Sequence, residues 1–515
     1  MTVDHYPVVV VGTGPTGMTA ASLLGDYGIE TLVLDRWDEV YPQPRAVHLD
    51  DEVYRILGQV GVADGFASIS RPCLGLRLVD RDMRTLAEFG RDSAVGPHGY
   101  PQANMFDQPD LEGIMRSRMY ELDSVEFRGG CEVVDVANQR DHVRIDYLDI
   151  STNERRCVTA DYVLGCDGAN SVVRRSIGST LRELGFEQRW LVVDISIDAD
   201  LGHWEGVHQI CDTERAGTFM RIGISRYRWE FRLLGGESVE TFADPEAVHA
   251  LVAPWLTGID GRDLTVLRHT EYTFRAEVVD NWRDRRIMLL GDAAHLTPPF
   301  IGQGMGAGLR DAANLAWKVA GVLSGVLSQD ALDTYESERK PHATSMIKLA
   351  VAIGWAMTGG GPTSDMLRRR GMPLVEKASF VAATVTDSAT PRLSKSAFVQ
   401  RDWLNPRDRT GRLCPNAALE QGGRLDDVAP GRFLFVTTTP PTTGQRAEIE
   451  RRGAAVVEVP LSSGLGEWLR RGRAVAAVVR PDRTVMATSR SVPSLHTRIP
   501  SFGPSFTADQ QTGHS

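Results

Sequence analysis

Three things are scarce in this 515-residue chain: cysteine, surplus positive charge and long apolar runs. Each shortage closes a class of function. The six cysteines, Cys73, Cys131, Cys157, Cys166, Cys211 and Cys414, are scattered, with no C-x-x-C and no metal-ligand spacing. That argues against a zinc module, a bound metal or a dithiol redox motif, and scattered thiols in a long chain fit a reducing compartment. Lys and Arg number 57 against 67 Asp and Glu, a net charge of −10. Nucleic-acid phosphates require clustered cations, so nucleic acid is not an expected partner. The short basic runs at 368–370, 451–452 and 470–473 read as solvated faces. No apolar stretch reaches the ~18 residues that span a bilayer. The N-terminus enters a strand without the charged and apolar regions of a secretory signal. The expectation is a cytoplasmic protein of two to four domains, away from membranes.

What the chain does have begins at Tyr6. Val8 to Val11 form a β-branched run suited to a strand buried on both faces. Gly12, Gly14 and Gly17 follow as G-x-G-x-x-G, then a small-residue helix, then a second apolar run, Thr31 to Leu34, that ends on Asp35. This is the order of a dinucleotide-binding βαβ unit. Gly12 permits the sharp turn, Gly14 lets backbone approach a pyrophosphate, and Gly17 lets helix pack on strand. The helix start offers unpaired N–H groups to phosphate, and Asp35 stands where a carboxylate meets ribose hydroxyls.

Further along, a loop with two prolines closes on Arg45, with His48 just before a helix expected over 50–60. Segments 74–79 and 85–89 read as a hairpin interrupting the first domain. A helix opens near Phe106, and a three-strand meander follows at 124–127, 131–136 and 143–147. A buried strand then runs into Asp167-Gly168. Residues 181–280 change character and read as a separate sheet of short, mostly antiparallel strands, with Trp229, Phe231 and Leu233 on one face. The chain returns in a buried strand ending at Gly291-Asp292, a loop at 296–304 and a long helix from about Met305 to Val322. An acid at the C-terminal end of a parallel strand, with glycines beside it, lies where α/β sheets bind ligands. Segments 357–363 and 379–397 read as linkers. A third α/β domain follows, with strands near 433–437, 454–459 and 474–480, and the chain after Arg498 reads as a disordered tail.

Three separated motifs point one way: Gly12-x-Gly14-x-x-Gly17, Cys166-Asp-Gly-Ala-Asn-Ser-Val-Val-Arg174, and the run from Gly291-Asp-Ala-Ala-His through Gly302-Gln-Gly-Met-Gly306. The set resembles the single-component (class A) flavoprotein aromatic hydroxylases, most of all the branch of 3-(3-hydroxyphenyl)propionate hydroxylase. Gln209 to Arg215, Arg228-Trp-Glu-Phe231, Gly411 to Pro415 and Arg480-Pro-Asp482 support that branch.

The resemblance implies an α/β fold with a Rossmann-type FAD-binding domain (1–180, with an inserted hairpin near 74–100, and 281–380), an inserted β-sheet substrate domain (181–280), a thioredoxin-like C-terminal domain (395–500) and a tail (501–515). It implies non-covalent FAD, with NAD(P)H and O2 as co-substrates and a C4a-hydroperoxyflavin that hydroxylates a small aromatic substrate. A homodimer is left open. Cofactor contacts fall on Gly12, Gly14, Pro15, Thr16, Gly17, Asp35, Arg36, Arg45, Gln108, Val134, Asp167, Asp292, Pro299, Gly302, Gly304 and Met305. Arg45, His48 and Pro299 are the catalytic candidates. Gln209, Cys211, Arg221, Tyr227 and Tyr272, from the inserted sheet, are the substrate candidates. The helix from Met305 would turn its positive end to the flavin.

Two departures matter. Cys414 is the one cysteine of the C-terminal region, so dithiol exchange is excluded there. Arg483 stands where the family often has glycine. Rival readings are a Baeyer–Villiger oxygenase or epoxidase on the same scaffold, and a non-catalytic flavin-bound binding protein or sensor. A flavin halogenase is disfavoured because Trp-x-Trp-x-Ile-Pro is absent.

Overall fold

The computed structural model describes residues 3–502 apart from 43–44, 92–94, 198, 213, 224, 257–263 and 360–389, and the backbone alone of Ile301. The basic run at 368–370, most of the two expected linkers and residues 503–515 lie outside the described residues.

The four valines lie in a central parallel strand, His5–Val11, where Val8 to Val10 are wholly buried. Thr31–Leu34 and Glu154–Gly165 flank it in parallel. Val125–Arg128 extends the sheet beyond one, and Ile287–Leu289 beyond the other. Among the described residues this sheet has eight strands, including the meander Cys131–Asn138 and Val143–Asp149 paired onto Glu154–Gly165. Helices Pro15–Asp26 and Gly304–Leu323 share its core through Met18, Leu24, Leu309 and Ala316.

Close approach at the motif explains its glycines. Gly12 has φ +102°, and a Cβ there would sit 2.5 Å from the Cys166 carbonyl oxygen. A Cβ on Gly17 would lie 1.9 Å from the Gly12 carbonyl oxygen, so any larger residue would push the helix off the strand.

The second sheet also has eight strands among the described residues. Its order is His295–Leu296, Thr265–Val279, Leu181–Ser196, Arg226–Arg232, Gly217–Ile222, Val207–Ile210, Gly75–Val79, Thr85–Gly90. All neighbours are antiparallel except Val207–Ile210 with Gly75–Val79. Two expectations change here. The strands were expected to be short, yet Leu181–Ser196 and Thr265–Val279 run 16 and 15 residues and pair along most of that length. The first half of Leu181–Ser196 carries exposed Arg182, Glu183, Glu187 and Arg189, and its inward residues Leu184, Phe186 and Gln188 are only partly buried, so the apolar pattern of a strand is weak there. The hairpin 75–90 hydrogen-bonds to this sheet as its edge, rather than decorating the first.

A four-stranded sheet closes the chain, ordered Ala455–Glu458, Leu434–Thr437, Ala476–Val479, Val485–Ser489, with helices Thr443–Arg451 and Gly464–Arg471. One face packs on the long helix of the first unit. Trp317 meets Phe398, Phe433 and Phe502 with ring centroids 5.0, 5.5 and 5.9 Å apart. The expected tail therefore starts too early. Ile499 and Phe502 are buried, and the Phe502 N–H donates to the Arg452 carbonyl at 2.8 Å. Two apolar anchors in four residues suffice to dock a stretch that polarity alone marked as loose.

Candidate functional site

A cavity of about 690 Å³ opens between the first sheet and the second, within the range of small-molecule and cofactor sites. One wall is the turn Gly14–Thr16 at the start of the first helix. Gly168, Leu290 and Asp292 continue it, and Pro299 to Met305 complete it. The facing wall is the second sheet, through Trp190, Val192, Gln209, Thr218, Met220 and Glu230. Arg45 and His48 come in from the loop after the second strand.

The sequence folds this way for local reasons. Gly291–Ala293 is a single helical turn after the Ile287–Leu289 strand. It is held from beneath by Asp311, whose Oδ2 accepts from the Gly291 N–H at 3.1 Å and pairs with His295 Nε2 at 2.7 Å. Arg339 Nε donates to the other oxygen at 2.8 Å. The Asp292 carboxylate is thus turned outward to the cavity and makes no hydrogen bond to a described residue. Desolvation by the cavity walls pushes its pKa up, with His295 and Arg45 opposing.

The next segment is braced by residues the sequence reading did not single out. Gln303 precedes the long helix and donates to Asp50 Oδ2 at 2.7 Å, while Arg310 donates to the same oxygen at 2.6 Å. Asp50 Oδ1 in turn caps the Asp51–Val60 helix through the Val53 N–H. Burial alone would raise the Asp50 carboxyl, but Arg310 and Gln303 outweigh it and hold the group at about 2. One anion therefore fixes both the helix after His48 and the turn Pro299–Ile301. A Cβ at Gly302 would lie 2.7 Å from His48 Nδ1. Burial, with Arg91 nearby, lowers His48 to about 4, so its ring is neutral at pH 7.

The structure brings together most of the expected cofactor residues. Gly14, Pro15, Thr16, Arg45, Gln108, Asp292, Pro299, Gly302, Gly304 and Met305 all line the cavity. Gln108 does so while accepting from the Arg45 and Ala46 N–H groups at 3.0 and 2.5 Å, which pins the loop that carries Arg45. Gly12 and Gly17 shape the turn from behind. Asp35 lies beyond the lining and accepts from the Thr13 N–H and hydroxyl at 2.6 and 2.7 Å. Asp167 turns its carboxylate into the helix Val172–Ser176, accepting from Ser171, Val172 and Val173. Its backbone neighbours Gly168 and Ala169 face the cavity instead. Arg36 and Val134 are not part of the lining. Arg36 is exposed and stacks on Trp37, and Val134 occupies an outward position of its strand.

Of the substrate candidates, Gln209 and Tyr272 line the cavity. Three do not, and for Arg221 and Tyr227 strand parity is the reason. Successive side chains point to opposite faces. The cavity face carries Thr218 and Met220 on one strand and Arg228 and Glu230 on the next. Arg221 and Tyr227 have the other parity: Arg221 pairs with Asp200 and Glu205, and Tyr227 is buried in the core behind the sheet. Cys211 lies past its strand's end, packed with Leu78, Phe89 and Met357. The motif Arg228-Trp-Glu-Phe231 held the missed signal: its apolar residues mark the core face, and its charged ones the cavity face.

The cavity fits FAD. A Cβ at Gly14 would meet nothing within 4 Å, so the helix start stands open to a phosphate group. Asp292 supplies an uncommitted acceptor for ribityl hydroxyls, and Gly304 leaves space at the start of the second helix. Among the described residues no His, Cys, Asp and Glu cluster could hold a metal.

Fold and site together define a flavoprotein. Residues 5–350 match the FAD-binding domain family. The chain is 33% identical over 509 residues to a probable NADH-specific resorcinol 4-hydroxylase of Rhodococcus jostii, covering 95% of this chain and 93% of that protein. It is 32% identical over 515 residues to a 3-(3-hydroxy-phenyl)propionate/3-hydroxycinnamic acid hydroxylase of Burkholderia cenocepacia, covering 94% of each. Among solved structures it is similar in fold to the flavin-dependent monooxygenase PieE in complex with FAD and substrate (TM-score 0.81, 22% identity, 97% of this chain and 98% of that one). Aklavinone-11 hydroxylase with FAD and aklavinone is also similar (TM-score 0.80, 21% identity, 98% of this chain and 100% of that one). The chain belongs to the FAD-dependent class A aromatic hydroxylases. It is an enzyme that binds FAD and uses NAD(P)H as co-substrate.

Proposed function

We propose that the enzyme hydroxylates a small phenol in the cavity between the two sheets. The observation that carries this reading is the cavity itself, with a cofactor cradle on one wall and a mixed apolar and polar sheet face on the other. FAD, when bound, supplies the hydride acceptance and oxygen activation. The chain's own residues do the rest. The backbone N–H groups of Gly14 and Thr16 bind phosphate, Pro15 having none, and Asp292 accepts from the ribityl chain. Arg45 and the neutral His48 flank the ring site, and Trp190, Val192 and Phe274 exclude water and orient the substrate ring. Gln209 and Tyr272 are the retained substrate contacts of the original five.

We read residues 1–180 and 281–380 as a Rossmann-type FAD domain, 181–280 with the 75–90 hairpin as the substrate sheet, and 395–500 as a thioredoxin-like domain with a structural role. Cys414 supports that last role: it is fully buried, and burial pushes its thiol up to about 12, so it stays protonated and inert. Six scattered cysteines with no C-x-x-C spacing support a reducing, cytoplasmic location. No described helix is long and apolar enough to cross a membrane.

The test is a panel of phenols, phenolic acids and cyclic ketones, scored by NAD(P)H loss, hydrogen peroxide and product mass. A phenol should accelerate NAD(P)H oxidation and gain one oxygen on its ring. Oxygen insertion into a ketone, or no stimulation by any phenol, would overturn the reading.

A further inference from the structure

The cavity face of the second sheet presents its polar side chains as a row across the strands. Strand register sets Gln209 opposite Thr218, Thr218 opposite Glu230, and Glu230 opposite Val192. All four line the cavity. Two of the polar members are satisfied from within the protein. Gln209 Nε2 donates to the Gly217 carbonyl at 2.8 Å, and its Oε1 accepts the Thr218 hydroxyl at 3.2 Å. Thr218 has thereby given away its proton and keeps only lone pairs for a ligand.

Glu230 is different. It is 8% exposed, yet no hydrogen bond or ion pair from a described residue reaches its carboxylate. Arg228, whose charge acts on Glu230, directs its hydrogen bonds to other groups: it grips Asp194 through two N–H groups at 2.7 and 2.8 Å and donates a third to the Arg45 carbonyl at 3.1 Å. The Glu230 side chain faces the cavity, where burial raises its pKa, and a hydrogen-bond donor on a ligand would offset that desolvation. The row offers acceptors and, on the protein side, no donor.

Resting on the hydroxylase reading above, we propose that Glu230 anchors a hydrogen-bond donor on the aromatic substrate, a second hydroxyl or an amine, and that the site thereby selects such rings over those bearing a carboxylate there. The residue is a specificity determinant. It accepts one hydrogen bond from the substituent away from the reacting position, and no bond is made or broken at it.

The experiment titrates the FAD-loaded enzyme, without NAD(P)H, with resorcinol, 3-methoxyphenol, phenol and 3-(3-hydroxyphenyl)propionate, following the flavin spectrum. Resorcinol should bind about tenfold or more tighter than 3-methoxyphenol, the gain expected of a hydrogen bond to a charged group. Glu230→Gln, which keeps an acceptor, should retain part of that preference. Glu230→Leu should abolish it while the flavin spectrum and the affinity for phenol stay within about twofold. Relative affinity for the carboxylate ligand should rise in both variants. The proposal is overturned if Glu230→Leu weakens all four ligands equally, if it leaves the resorcinol preference intact, or if none of them binds. Binding with the expected preference but no turnover counts against the hydroxylase reading and leaves the anchor standing.

Discussion

The Asp292 carboxylate opens onto the cavity with no hydrogen-bond partner among the described residues, while Asp311 behind it is fully spent on Gly291, His295 and Arg339. That contrast is what the proposed ligand-binding role of Asp292 rests on. An acceptor of this kind gains roughly 1.5–3 kcal/mol per charge-assisted bond to a hydroxyl. We expect Asp292→Ala to weaken FAD binding by about one to two orders of magnitude, at ~1.4 kcal/mol per tenfold, while turnover of the FAD-saturated enzyme changes much less. Asp292→Asn should be milder because the amide oxygen still accepts. FAD titration of the apoprotein followed by single turnover at saturating FAD checks both, and unchanged affinity with collapsed oxygen transfer would contradict the assignment. Asp292 was legible in the sequence because it follows a buried strand and precedes a glycine-bearing turn. Arg221 and Tyr227 were chosen as substrate contacts without knowing the face of their strands. One residue of register separates the core side from the cavity side, and the alternation in Arg228-Trp-Glu-Phe231, which places Tyr227 with the apolar residues, was not applied to the choice. Gln303, Asp50 and Arg310 escaped notice for another reason: their partners are some 250 residues apart in sequence.

The long helix Gly304–Leu323 links the flavin wall to the C-terminal sheet. Toward its C-terminal end Lys318, wholly buried, donates to Glu338 at 3.0 Å, and Arg480 from the last sheet donates to the same carboxylate oxygen at 3.0 Å. Burial would raise Glu338, but Arg480 and Lys318 outweigh it and hold the carboxyl at about 2, while burial lowers Lys318 to about 8. Removing the shared anion leaves Lys318 buried with only the Asn314 amide oxygen to accept from it, and leaves Arg480 with Asp482 as its remaining anion. We expect Glu338→Ala to destabilise the protein by about 3–5 kcal/mol, read as a fall in the denaturation midpoint with the flavin site intact below it. A change under about 1 kcal/mol would show that the cluster relaxes into water. At this scale the sequence was informative where a period was clean. The Val8–Val11 strand, the Asp51–Val60 helix and the long helix all lie within a residue or two of expectation. It was least informative for the long strands of the second sheet, where the charged first half of Leu181–Ser196 is held in place by pairing with Thr273–Val279.

The molecule as a whole is two sheets facing one another across a cofactor-sized space, with a third unit buttressing the helices behind. Such a site is completed by its ligand, and anything that binds only the folded state stabilises it. We expect FAD at 100 times its Kd to raise the stability of the apoprotein by about 2.7 kcal/mol, seen as a rise in Tm that grows with FAD concentration. FMN, which lacks the adenosine half, should give a much smaller rise. The most direct measurement of the central claim is the fate of molecular oxygen. With FAD-loaded enzyme, NAD(P)H, ¹⁸O2 and a phenol that stimulates oxidation, the product should gain one ¹⁸O on the ring per NAD(P)H consumed. Label arriving from water, or NAD(P)H consumption that ends wholly in hydrogen peroxide with the phenol unchanged, would contradict the account.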